Sequence, residues 1–128
     1  MKIIRLFFVF VFMLGAFNAQ AVSAQGSSSS SAAQFFLSLT DIPLMPGLVE
    51  IPEYGVEFDK PEGRVVESVA EMHGVAQGEV KSFYKNSLPQ FGWTIIDDQN
   101  FARQSEYLVF YFEHIDGHDF VRVMLMPR

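Results

Sequence analysis

Between Tyr107 and Met126 two runs of aromatic and aliphatic residues, the second carrying Arg122, read with a strand's period of two and are separated by His114-Ile115-Asp116-Gly117-His118. That period sends successive side chains to opposite faces of a sheet, and Asp-Gly between alternating runs is a strong hairpin signal. Strands are therefore predicted over Tyr107–Glu113 and Asp119–Met126. Over Gln77–Leu88 the period lengthens: Val80, Phe83, Tyr84, Ser87 and Leu88 form one largely apolar stripe, with Glu79, Lys81, Lys85 and Asn86 opposite. This predicts an amphipathic helix, stopped or tightened at Pro89 and reversed at Gly92 before Trp93. Downstream, Trp93–Asp97 reads as a strand, Asp98-Gln99-Asn100 as a turn and Phe101–Arg103 as a short strand. Upstream, Val56–Asp59 and Val65–Met72 flank Lys60-Pro61-Glu62-Gly63, whose proline and glycine suit a turn. The expected fold class is α+β: one helix packed on an antiparallel sheet, in the order β-hairpin, helix, β-meander.

The N-terminal pattern is of another kind. Lys2 and Arg5 precede a run from Leu6 to Phe17 that is apolar apart from Gly15. Small residues follow at the −3 and −1 positions of two cleavage sites, Ala19-Gln20-Ala21 and Val22-Ser23-Ala24. This is the layout of a cleaved signal peptide over residues 1–24. A span needs about 20 apolar residues, so no stable membrane anchor is expected after cleavage, and the destination is periplasmic or extracellular. Residues 25–34 read as a Ser-rich flexible linker, and residues 35–128 as a single domain. The domain opens with an apolar stretch whose Pro43, Pro46 and Gly47 forbid regular structure, so residues 35–48 are expected to form an extended arm.

Composition removes whole classes of function. Without a cysteine there is no thiol catalysis, thiolate metal site, lipidated thiol or disulfide. Loss of Lys2 and Arg5 with the signal leaves seven basic against fifteen acidic residues, a formal charge of −8. The basic residues are scattered, so nucleic acid is not an expected partner.

Few residues invite chemistry. His114, Asp116 and His118 have the right types for zinc, but register separates them. A two-residue turn at Asp116-Gly117 pairs Phe112 with Val121, Phe110 with Val123 and Leu108 with Leu125, apolar against apolar. A three-residue loop would set Phe110 against Arg122. The first register puts His114 beside Asp119 on the core face and His118 on the other face, so no metal is expected. His73 has Glu71 as its nearest acidic neighbour, but no catalytic motif, glycine-rich phosphate loop or cofactor fingerprint accompanies the pair. No catalytic residue and no cofactor are assigned.

The same register fills the outward face of the last hairpin with Tyr107, Val109, Tyr111 and Glu113 on one strand and Phe120, Arg122, Met124 and Met126 on the other. Arg122 falls opposite Tyr111, within cation–π range. In a sheet backed by one helix this face would meet water, although most of it is apolar. Either the arm folds over it, having no other evident home, or it is a docking surface.

The block Val80-Lys81-Ser82-Phe83-Tyr84-Lys85-Asn86-Ser87-Leu88-Pro89-Gln90-Phe91-Gly92-Trp93, with Asp41-Ile42-Pro43-Leu44-Met45-Pro46-Gly47-Leu48 and Phe58-Asp59-Lys60-Pro61-Glu62-Gly63-Arg64, resembles an uncharacterised family of small exported proteins of the alphaproteobacterial type. The resemblance implies an α+β module and export, and carries over no site residue. The expected function is an exported, non-catalytic domain that binds an unknown protein partner in the cell envelope, through Tyr107, Val109, Tyr111, Phe120, Arg122, Met124 and Met126 or through an edge strand. The alternatives are a small hydrophobic ligand carrier with a pocket lined by Phe83, Phe110 and Phe112, and a small hydrolase using His73 and Glu71.

Overall fold

The computed structural model describes residues 32–128; the expected signal peptide and most of the linker lie outside the described residues. The strands are β1 (Leu48–Glu50), β2 (Val56–Lys60), β3 (Gly63–Met72), β4 (Thr94–Ile95), β5 (Asn100–Arg103), β6 (Glu106–Ile115) and β7 (His118–Pro127). The helix α1 (Gln77–Ser87) runs on into a 3-10 turn over Leu88–Phe91. All seven strands form one antiparallel sheet in the order β1-β3-β7-β6-β5-β4, with β2 also on β3. The α+β class is as expected, with the sheet dominating. The hairpin and the meander join because β7, the last strand, returns to lie beside β3.

The hairpin register follows the expected pairing: Phe112 faces Val121, Phe110 faces Val123 and Leu108 faces Leu125. Asp116 (φ 51°) and Gly117 (φ 81°) both take the left-handed conformation, as a two-residue turn between right-twisted strands demands. The stretch Trp93–Asp97 differs from expectation. Only Thr94–Ile95 pairs, because the Asp97 carboxylate turns back to accept from the backbone N–H groups of Gln99 and Asn100 and from the Asn100 side chain. Asn100 accordingly begins β5 instead of ending the turn.

β1 and β2 are two halves of one edge strand along β3. Glu50 pairs with Ala70 and Ile51 donates to the Val69 carbonyl, but pairing resumes only at Val56 with Glu67. Residues 52–55 thus loop out opposite Ser68, through a 3-10 turn begun by Pro52. Proline cannot donate to a ladder, so it sits at such a break.

One layer covers the inner face of the sheet, and α1 supplies half of it. Val80, Tyr84 and Leu88 are buried against Leu108, Phe110, Val121, Val123 and Leu125, as the helical stripe predicts. Glu79 reaches back to the Ala76 backbone N–H (2.6 Å), which secures the first turn although Ala76 has no side-chain acceptor to complete a capping box. The arm supplies the other half. Phe36, Leu39 and Ile42 are buried in the same core, so the arm lies on the helix side and not over the outer face of the last hairpin. Its anchorage is polar as well as apolar. The buried Tyr84 hydroxyl donates to the Pro43 carbonyl (2.9 Å). Asp41 pairs with Arg103, whose guanidinium also stacks 4.2 Å over Trp93 and meets Glu106. Arg64 joins this group through Glu106 and lies 3.9 Å from Asp41, in ion-pair range only. Gln34, expected to be loose linker, accepts a hydrogen bond from the Leu44 N–H (2.7 Å), so ordered contact begins before the arm itself. Gly47 (φ 94°) closes the arm, and an added Cβ there would meet a Val75 methyl at 2.6 Å.

Two substitutions separate these contributions. Leu39→Ala should lower unfolding free energy by about 2–5 kcal/mol, the range for a truncated core leucine. Tyr84→Phe should cost about 1–2 kcal/mol by leaving the Pro43 carbonyl unpaired while keeping the ring. Urea unfolding followed by Trp93 fluorescence measures both; a neutral Leu39→Ala would contradict the arm's place in the core.

Candidate functional site

On the outer face, residues directly opposite across the ladders share one side. Val56 and Phe58 of β2 therefore continue through Val65, Glu67, Val69 and Glu71 of β3. The same face continues through Phe120, Arg122 and Met124 of β7, then Tyr107, Val109, Tyr111 and Glu113 of β6. All seven residues expected to form an interaction face lie on it. Tyr111 is 44 % exposed; Tyr107, Val109, Phe120, Arg122, Met124 and Met126 are half-buried by their neighbours. Neither α1 nor the arm covers this face; the 3-10 turn at Pro52–Tyr54 borders it, with Tyr54 beside the buried Val69. Val49, Val56, Phe58 and Ile115, not singled out from sequence, enlarge the exposed apolar area. The signal for Val56 and Phe58 was present as alternation in a short strand, but its face is set only by pairing with β3.

A charged band crosses this apolar ground. Arg122 lies between Val69 and Tyr111, with Glu67 and Glu113 one step diagonal to it on the flanking strands. Its guanidinium takes the two carboxylates, Glu113 through both oxygens at 3.1 and 3.2 Å, and not the Tyr111 ring. The expected cation–π contact is thereby corrected: two ionic hydrogen bonds outweigh one ring face for a long side chain that reaches either. The Glu113 hydrogen bond, followed by Glu67, pushes the guanidinium pKa up against desolvation.

Glu71 forms a second polar centre. Its carboxylate meets His118 Nδ1 at 2.5 Å and His73 Nε2 at 3.2 Å. The His118 hydrogen bond holds the Glu71 carboxyl below its ordinary value of 4.5 against opposing desolvation, and His73 acts in the same direction. His114 instead bonds Asp119 at 2.7 Å. The two hairpin histidines therefore diverge as register requires, and no group of three or more metal-ligating side chains among the described residues is arranged to hold an ion. The pair His73–Glu71 exists, but both histidines about Glu71 are exposed and no hydroxyl nucleophile accompanies them in these contacts.

The ring positions expected to line a ligand pocket are not arranged as one. Phe110 is packed between Tyr84 (ring centroids 4.4 Å apart) and Phe101 (5.7 Å). Phe83 and Phe112 open onto separate surface clefts. On the outer face, Tyr54, Val69, Ile115 and Phe120 line an open groove of about 240 Å³ ending at Arg122 and Glu113. That is below the ~300–1,000 Å³ of ordinary ligand sites and suits a protruding side chain better than a whole ligand. Among the described residues no helix is long and apolar enough to cross a membrane.

Comparison of the chain with protein-family models, curated proteins and solved structures finds no match.

The depressed Glu71 carboxyl has a consequence for acid stability. A folded-state value below the unfolded one stabilises the fold above about pH 4.5, and that contribution disappears as pH falls through the folded value. Glu71→Gln should therefore flatten the fall in melting temperature between pH 5 and 3, while wild type falls more steeply. Parallel curves for the two proteins would contradict it.

Proposed function

We propose that this protein is an exported, non-catalytic binding module that docks a protein of the cell envelope on its outer sheet face. The observation that carries the reading is the asymmetry of the sheet. α1 and the arm seal one face, while the opposite face keeps Val49, Val56, Phe58, Tyr111 and Ile115 exposed, Ile115 lining a groove. Large apolar side chains gathered on one solvent-facing side and rimmed by charged groups mark an interaction surface. The polar groups on the face narrow the partner's chemistry. Glu67, Glu71 and Glu113 stand against Arg122 and Lys60 on this face, and the exported chain carries a net −8, so the complementary surface is apolar with basic residues among it. Placement outside the cytoplasm rests on the signal-like N-terminus and on the resemblance of the helix–Gly-Trp block to exported proteins.

A photoreactive amino acid at position 111, introduced in the native cell, tests this reading against the same probe at Asn86 on the solvent side of α1. A discrete adduct should form at 111 and not at 86, and Met124→Glu should abolish it. The purified Met124→Glu protein should keep its circular dichroism. No adduct at 111, or the same adduct at 86, would contradict docking on this face.

A further inference from the structure

The outer face ends at an open strand edge, and the two edges of the sheet are unlike. At one, β4 is two residues long and β6 has no strand beside it after Phe110, where only Gln99 meets it. At the other, β2 is five residues long and every one is exposed. Ladder parity fixes which of its backbone groups are free. A two-residue turn joins Lys60 to Gly63, so Lys60, Phe58 and Val56 point their N–H and C=O groups at β3. Glu57 and Asp59 then point theirs outward, one donor and one acceptor each. Further along this edge the looped-out 3-10 turn interrupts the line, so on this side β2 is the straight template.

The side chains of β2 say what the template accepts. Val56 and Phe58 lie on the outer face with Lys60, whose ammonium sits over the Phe58 ring, while Glu57 and Asp59 lie on the opposite side of the strand. A second copy of β2, paired antiparallel about Phe58, would set Glu57 against Asp59 twice, and like charges directly opposite repel. Self-pairing is thus disfavoured at neutral pH. A strand with cationic residues opposite those two carboxylates and apolar residues opposite Val56 and Phe58 meets both requirements at once.

We infer that β2 is a β-augmentation site for an extended partner segment that alternates basic with apolar residues. The main chain of the segment bonds to Glu57 and Asp59, and its apolar side chains extend the outer face beyond Phe58. The inference rests on the protein-binding reading and deepens it by naming the form of the docked segment.

The test uses the ¹⁵N-labelled chain and three synthetic heptapeptides: lysine alternating with valine and phenylalanine, its glutamate counterpart, and the lysine peptide N-methylated along one backbone edge. The lysine peptide should shift the Glu57 and Asp59 amide signals and bind at least tenfold more tightly than the glutamate peptide. Salt should weaken it, and N-methylation of the edge that faces β2 should abolish it. Glu57→Lys with Asp59→Lys should invert the preference between the charged peptides. Equal affinity for both charged peptides, binding that survives methylation of the edge that faces β2, or no binding would overturn the inference. Shifts confined to Tyr111 and Met124 would overturn it while leaving docking on the outer face in place.

Discussion

The structure depends on a mismatch of dimensions between its single helix and its sheet. An α-helix of 11 residues is about 16 Å long, whereas a sheet six strand positions across is about 24 Å wide. α1 cannot cover that face alone, and an uncovered inner face would leave Val66 and Leu125 in water. The arm resolves the mismatch by inserting Phe36, Leu39 and Ile42 beside the helix. With the arm spent on the inner layer, the outer face keeps its apolar side chains in contact with solvent. Openness of the outer face is thus a consequence of how the inner one is completed.

An irregular arm holds such a place only if its backbone polar groups are satisfied and its ends are tied. Tyr84 does the first from the helix, binding the Pro43 carbonyl with a phenol whose pKa burial pushes up. Asp41 does the second from the arm, reaching Arg103 at the end of β5, where Trp93 and Glu106 hold the guanidinium in position. These contacts join segments distant in sequence, so the arm is bound into the domain's cooperative unit and cannot be treated as a tether. A chain without disulfides needs that kind of closure from packing and buried polar contacts.

Much of this was legible in the pattern of residues, for physical reasons that also mark its limits. Alternation and the Asp-Gly turn determined the register of β6 and β7, because a one-residue slip would have driven Arg122 into the core. The stripe on α1 identified Val80, Tyr84 and Leu88 correctly, since helical period and burial coincide. The location of the arm was not legible: Phe36, Leu39 and Ile42 are equally apolar whichever face they cover, and the choice is made by Tyr84 and Arg103 far along the chain. Nor was the interrupted edge, where Pro52 breaks a strand whose halves are too short to show a period. Arg122 was placed opposite Tyr111 as pairing demands, but its actual partners Glu67 and Glu113 are diagonal, one of them on a strand whose neighbour sequence does not name.

Because the chain has no cysteine, single thiols report directly on which face is open. The most direct measurement is the rate of labelling of Leu39→Cys and Tyr111→Cys by a small thiol reagent under native conditions. Burial of the arm on the helix side predicts that Tyr111→Cys reacts nearly as fast as a free thiol, while Leu39→Cys reacts only through global unfolding. A protected thiol at 111 together with a freely reactive one at 39 would place the arm over the outer face and contradict the account.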